Sequence, residues 1–127
     1  MKTLLLKTTK QTDFIDITSK VRDYVHETKI KQGIVTIFVP HTTAAVTINE
    51  NADPDVLTDM SNILDRMVPW ANGYAHMEGN SAAHVKSSTY GVSQQIIVEN
   101  GILQLGTWQG IYFCEFDGPR NRKVYFQ

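Results

Sequence analysis

The stretch QQIIVENGILQL, residues 94–105, decides how the chain is read. Two short β-prone runs, 94–98 and 102–105, flank Glu99-Asn100-Gly101, and Asn-Gly is the pair selected by a tight hairpin turn with positive φ at both central residues. The C-terminal third therefore reads as antiparallel β. Just downstream, GIYFCEF (110–116) and RKVYFQ (122–127) flank a second turn at Asp117-Gly118-Pro119. Upstream, IVTIFVP (34–40) reads as a buried strand and HTTAAVTINE (41–50) as a second strand or its continuation. At the N-terminus, residues 2–8 and 13–17 are β-prone runs around a polar Lys-Gln-Thr stretch, which predicts a first hairpin.

Two or three helices interrupt this β pattern. From Thr18 or Ser19, either a competent N-cap, Val21, Tyr24, Val25 and Ile30 fall roughly along one face. In ADPDVLTDM (52–60) Asp53 caps and Pro54 suits the first helical position; Val56, Leu57, Met60, Ile63, Leu64 and Met67 follow at helical spacing until Pro69. Asn80 predicts the cap of a short helix to about Thr89, with Gly91 past its end. The sum is an α+β chain, residues 1–127 forming a single domain, with a mostly antiparallel sheet or two packed sheets and two or three inserted helices.

Composition narrows the function classes. With 12 basic and 13 acidic residues among 127, the chain has no broad electrostatic footprint for nucleic acid or an anionic membrane. Leu4-Leu5-Leu6 is too short a run for a signal core or a membrane span, and a lone cysteine, Cys114, fits a reducing compartment. A soluble, cytoplasmic protein with no nucleic-acid or membrane partner is expected. Cys114, beside Phe113 in a strand, reads as a small core residue, and His26 as a solvent-facing helix residue.

Three histidines, His41, His76 and His84, stand beside the ends of predicted elements, where sites are commonly built. Imidazole ligates metals and moves protons near neutral pH, yet this spacing matches no metal motif, and capping or loop roles explain the same residues. Asn49, Glu50 and Asn51 precede the second helix and offer a general base or oxygen ligands, whereas Asp53 and Asp55 are accounted for by its start. Lys86, Ser87 and Ser88 suit a phosphate near a helix N-terminus, or a solvated helix face. Glycines bracket Trp108 and Gln109, allowing close backbone approach or a bulge. Arg120, Arg122 and Lys123 follow the last turn, where they grip phosphates or solubilise an edge strand.

The segments HTTAAVTINENADPDV, YAHMEGNSAAHVKSS and LGTWQGIYFCEFDGPRNRKV together resemble the YjbQ family, also known as the uncharacterised family UPF0047 and as secondary thiamine-phosphate synthases. The resemblance implies a β-sandwich-like core, assembly as a homotrimer, and a histidine-lined cleft able to hold a divalent metal such as zinc or magnesium. Carried onto this sequence, it implies catalytic roles for His41, Glu50, His76, His84 and Lys86, with His41, His76 and His84 as metal ligands. It assigns substrate contacts to Thr42, Thr43, Asn49, Lys86, Ser87, Ser88, Thr107, Trp108, Gln109 and Arg120. The chain departs from some members in lacking a longer acidic loop between His76 and His84, leaving Glu78 as the carboxylate there. The implied activity joins an aminopyrimidine methyl diphosphate to a thiazole phosphate with loss of diphosphate. Metal-dependent hydrolysis of a phosphorylated or ester substrate, and non-catalytic capture of a small anion, are the competing readings.

Overall fold

A computed structural model describes residues 1–127. The elements run β1 (Lys2–Lys7), β2 (Asp13–Asp16), α1 (Thr18–Thr28), β3 (Gln32–Phe38), β4 (Ala44–Glu50), α2 (Pro54–Met67), α3 (Ser81–Tyr90), β5 (Ser93–Glu99), β6 (Ile102–Leu103), β7 (Gln109–Glu115) and β8 (Asn121–Phe126). A five-stranded sheet, β1-β8-β3-β5-β6, faces a three-stranded sheet, β2-β7-β4, and every pairing is antiparallel. The α+β reading holds, in its two-sheet form.

Alternation along the strands explains the layers. Val35, Ile37, Ile96, Val98, Val124 and Phe126 of the larger sheet meet Ala44, Val46, Ile111 and Phe113 of the smaller one, and Val21, Tyr24 and Val25 of α1 join this core. The intervening residues of β4 and β7, Ala45, Tyr112 and Cys114, face the other way onto Leu64 of α2 and Ala83 of α3. Thus β7 is covered on both faces, which is why its sequence is almost unbroken in apolar residues.

Local signals fixed the element ends well. Asp53 accepts from the Asp55 N–H at 2.9 Å with Pro54 behind it, and Asn100 and Gly101 take φ of 52° and 76° in the β5–β6 hairpin. The α1 start is held differently from expectation: the Asp16 carboxylate, two residues earlier, accepts from the Thr18 N–H at 2.9 Å.

One expectation is corrected. Residues 2–8 and 13–17 do not form a hairpin; β1 pairs with β8 (Lys2↔Phe126) and β2 with β7 (Asp13↔Glu115). Alternation says which face of a strand is buried but not which strand lies beside it, so the polar connector crosses between sheets instead of turning back. The Asp117-Gly118-Pro119 turn makes the reverse crossing, from β7 to β8. These two crossings touch. A Cβ on Gly118 would lie 2.3 Å from the Lys10 carbonyl oxygen and 2.8 Å from Thr8 Oγ1. Gly118→Ala is therefore expected to lose about 1–3 kcal/mol of stability as backbone moves aside; an unshifted urea midpoint would count against this packing. No helix is long and apolar enough to cross a membrane.

Candidate functional site

Strand polarity brings distant residues to one end of the sandwich. Glu115 and Arg122 both point inward, since they fall in the alternation that buries Phe113 on β7 and Val124 on β8. A buried carboxylate and guanidinium need each other. Arg122 Nε donates to Glu115 Oε2 at 2.8 Å and Nη2 donates to Oε1 at 2.5 Å, a two-pronged pair joining the two sheets. Thr8 Oγ1 donates to the same carboxylate at 2.9 Å, and Arg122 Nη2 also donates to Thr43 Oγ1 at 2.7 Å. Burial alone would raise the Glu115 pKa, but the hydrogen bonds from Arg122, the Asp117 N–H and Thr8, with the Arg122 charge, pull it below the usual carboxylate value.

Above this pair lies a cavity of about 510 Å³, lined by Pro40, His41, Thr42, Thr43, His76, Glu78, Asn80, His84, Asp117, Arg120 and Arg122. His41 sits on the β3–β4 connection, His76 on the exposed loop before α3, and His84 on the first turns of α3. The His76 and His84 rings meet edge to face with centroids 5.6 Å apart. His41 is oriented separately: its Nε2 accepts the Lys123 backbone N–H at 3.1 Å, so the proton of the neutral ring belongs on Nδ1. Burial, and then the Arg122 charge, lower its pKa below 6.5, so near neutral pH it is a hydrogen-bond donor rather than a cation.

Two further side chains shape the wall. Asp117 Oδ2 accepts from Arg120 Nη2 and from Asn80 Nδ2, both at 2.9 Å, while Arg120 Nε donates to the Asp117 carbonyl at 2.8 Å. That fixes the Arg120 fork at the rim and the orientation of the Asn80 amide, whose buried Oδ1 has no partner. Neither Arg120 Nη1 nor Arg122 Nη1 donates to a protein acceptor. The cleft thus combines free guanidinium N–H groups, an imidazole N–H and hydroxyls, the donors that anion oxygens take.

Comparison with known proteins decides the family. The model described as UPF0047 protein YjbQ-like matches residues 2–127. The chain belongs to the YjbQ-like UPF0047 family. It is 59% identical to UPF0047 protein YugU of Bacillus subtilis, covering 100% of this chain and 97% of the relative, and 52% identical to UPF0047 protein MJ1081 of Methanocaldococcus jannaschii, covering 94% and 87%. A crystal structure of a YjbQ/UPF0047 protein from Clostridium acetobutylicum superposes with a TM-score of 0.99 at 55% identity, covering 100% and 98% of the two chains. The hypothetical protein APE1520 of Aeropyrum pernix superposes at 0.95 with 34% identity, covering 99% and 95%.

Within this YjbQ-like chain the expected site residues divide. His41, Thr42, Thr43, His76, His84 and Arg120 share the cavity. Lys86 does not: it is buried at 2% exposure and bonds to Asp65 of α2 at 2.7 Å, because α3 turns that face toward α2. Ser87 donates to the Ala44 carbonyl at 2.6 Å, tying α3 to β4. Asn49, Glu50, Thr107, Trp108 and Gln109 lie at the opposite end of the β4–β7 ladder. The register that pairs Ala44 with Glu115 pairs Glu50 with Gln109 six residue steps away, about 20 Å at roughly 3.3 Å per step. Trp108 is 63% exposed there, so within one protomer it does not share the cleft with the histidines.

Of the three histidines expected to hold a metal, which line one cavity, His41 has its Nε2 engaged by the Lys123 N–H, and no group of three or more His, Cys, Asp or Glu side chains is placed around one point. Sequence reasoning passed over Asp117, read only as a turn residue, Asn80, read only as a cap, and Glu115. A signal for the last was present. One carboxylate inside the apolar run IYFCEF implies a buried partner, and Arg122 alternates into the same layer of RKVYF.

Proposed function

We propose that this cleft binds a phosphorylated small molecule and acts on it. The observation that carries the reading is the polar cavity whose walls converge Arg120, Arg122 and His41 N–H groups beside the His76–His84 pair. Its size falls in the range of about 300–1,000 Å³ used by small-molecule sites. Phosphoryl or diphosphate oxygens would take the guanidinium and imidazole donors, and His76 or His84 would move the proton that a leaving or attacking oxygen requires. Thiamine-phosphate-synthase-like transfer is the concrete form: diphosphate leaves the aminopyrimidine methyl carbon as the thiazole nitrogen bonds to it. In that reaction Arg120 and Arg122, not Lys86, would stabilise the departing charge.

Hydrolysis is a second reading, and the paired imidazoles favour it, because two nitrogen donors can position or deprotonate a water. As a zinc site the residues are short of imidazole donors: His76 and His84 offer two, against the three protein ligands usual in catalytic zinc sites. No step here is routed through a metal. Capture of the anion without turnover is the outcome if neither reaction is found.

Assembly as a homotrimer, and a cytoplasmic location, belong to the same proposal. The outer face of the five-stranded sheet leaves Leu5, Ile34, Phe38, Ile97 and Ile102 exposed, and such an apolar face supports contact between copies. The lone Cys114 is a buried free thiol, which suits a reducing compartment. The deciding experiment incubates the protein with the pyrimidine diphosphate and the thiazole phosphate, with and without magnesium or zinc, and follows thiamine phosphate. The expected result is product that falls at least tenfold in His84→Ala. Product unaffected by His84→Ala would place the chemistry elsewhere, and release of inorganic phosphate or diphosphate alone would select hydrolysis.

A further inference from the structure

One polar atom of the cleft wall takes no part in holding the wall together. Asn80 begins α3, yet its side chain makes no capping bond; only its backbone carbonyl serves the helix, accepting from the Ala83 N–H at 3.0 Å. Its Nδ2 is spent on Asp117, which fixes the amide with Oδ1 on the other side. Asn80 is 8% exposed and lines the cavity, and its Oδ1 is the one buried side-chain nitrogen or oxygen in the chain without a partner. A buried acceptor in that state costs free energy that a hydrogen donor restores.

The neighbours narrow what that donor is. Asp117 Oδ2 accepts from both Asn80 Nδ2 and Arg120 Nη2, so the amide and the guanidinium hang on one carboxylate oxygen, and an anion taken by Arg120 sits beside Asn80. Glu78 lines the same cavity. Three acceptor groups therefore stand among the guanidinium and imidazole donors of this wall. Acceptors repel the oxygens of a fully ionised anion, whereas an anion that keeps a hydrogen can bond to one of them. We infer that Asn80 sets the specificity of the anion site: its Oδ1 accepts the hydrogen of a P–OH group, so the cleft takes a phosphoryl group with one oxygen protonated and disfavours a fully ionised tetrahedral anion such as sulfate. The inference rests on the anion reading above and adds to it the residue that discriminates between anions. Arg120 supplies attraction without discrimination, because its donors bond to sulfate oxygens as well as to phosphate oxygens.

Titration calorimetry with inorganic phosphate and with sulfate tests this on the full chain. At about pH 8 both anions are mainly doubly charged and only phosphate keeps a hydrogen, while histidines with the ordinary pKa of about 6.5 are neutral. Phosphate is expected to bind the unaltered chain about tenfold more tightly than sulfate, the effect of one buried acceptor satisfied rather than left bare. Asn80→Ala should bring that ratio to about one. Arg120→Ala should weaken both anions and leave the ratio at about ten. The ratio separates this role from a structural one, since loosening Asp117 or the start of α3 weakens both anions alike. Equal affinities in the unaltered chain, a preference that survives Asn80→Ala, or one that Arg120→Ala abolishes would overturn the inference while the anion site stands; the first of these depends on no variant. If neither anion binds, the anion reading falls and takes this inference with it.

Discussion

Glu115→Ala is expected to destabilise the protein by about 3–5 kcal/mol, because it strands a buried guanidinium without its counter-charge. Arg122 is only 5% exposed and Glu115 fully buried, so solvent offers the remaining partner little relief. Replacing both, as Glu115→Leu with Arg122→Met, should cost less than the sum of the single changes, since apolar pairs of similar volume can substitute for buried ion pairs. Urea unfolding at one fixed protein concentration measures this. A single-variant loss near zero, or additive losses, would mean that the pair does not hold the two sheets together. The same pair predicts an acid limb. Because Glu115 has a folded-state pKa below the unfolded value of about 4.3, its contribution is present above that pH and is lost as pH falls through the folded value. His41 acts in the same direction at higher pH: its pKa lies below 6.5 in the folded state, so stability starts to fall as pH drops below about 6.5. In the double variant the lower limb should disappear while the His41 portion persists.

The fold was legible where local chemistry chooses a conformation. Asn100-Gly101 accepts positive φ, Asp53-Pro54 starts a helix, and Val56 through Met67 repeat at helical spacing, so each element could be placed without knowledge of its neighbours. Partner choice was not legible. The β1 and β2 runs alternate as strands in a hairpin would, yet they pair with β8 and β7, more than a hundred residues away in Lys2↔Phe126 and Asp13↔Glu115. The site divided along the same line. His41, His76, His84 and Arg120 flank element ends that meet at one edge of the sandwich, whereas Glu50 and Trp108 flank the opposite ends of the same strands. Residue type and nearness in sequence do not say toward which end of a sheet a side chain lies; register does. Lys86 shows a related limit at smaller scale, because one position on α3 separates a side chain facing the cleft from one facing Asp65.

That distinction gives the second large effect. Arg120→Ala is expected to weaken inorganic phosphate binding about tenfold to a hundredfold, the size of one charged hydrogen bond at roughly 1.5–3 kcal/mol. Arg120 suits the role because Asp117 holds it twice, at Nε and Nη2, and leaves Nη1 pointing to no protein acceptor. Holding the fork in place reduces the side-chain freedom that phosphate must otherwise arrest. Arg120→Lys keeps the charge but not the fork, so its loss should be intermediate. Lys86→Met should leave phosphate affinity within about twofold, because the lysine that sequence marked as the anion contact is turned to Asp65 and lines no part of the cavity. Its stability effect should also be modest, as methionine fills the space of the lysine stem and releases an exposed carboxylate to water. Calorimetric titrations at one fixed ionic strength separate these cases, since salt screens the rim arginine more than any buried group. The reverse pattern, with phosphate lost in Lys86→Met and retained in Arg120→Ala, would move the anion site onto α3 and away from the histidines. The proposed chemistry requires both on the same side of the sandwich.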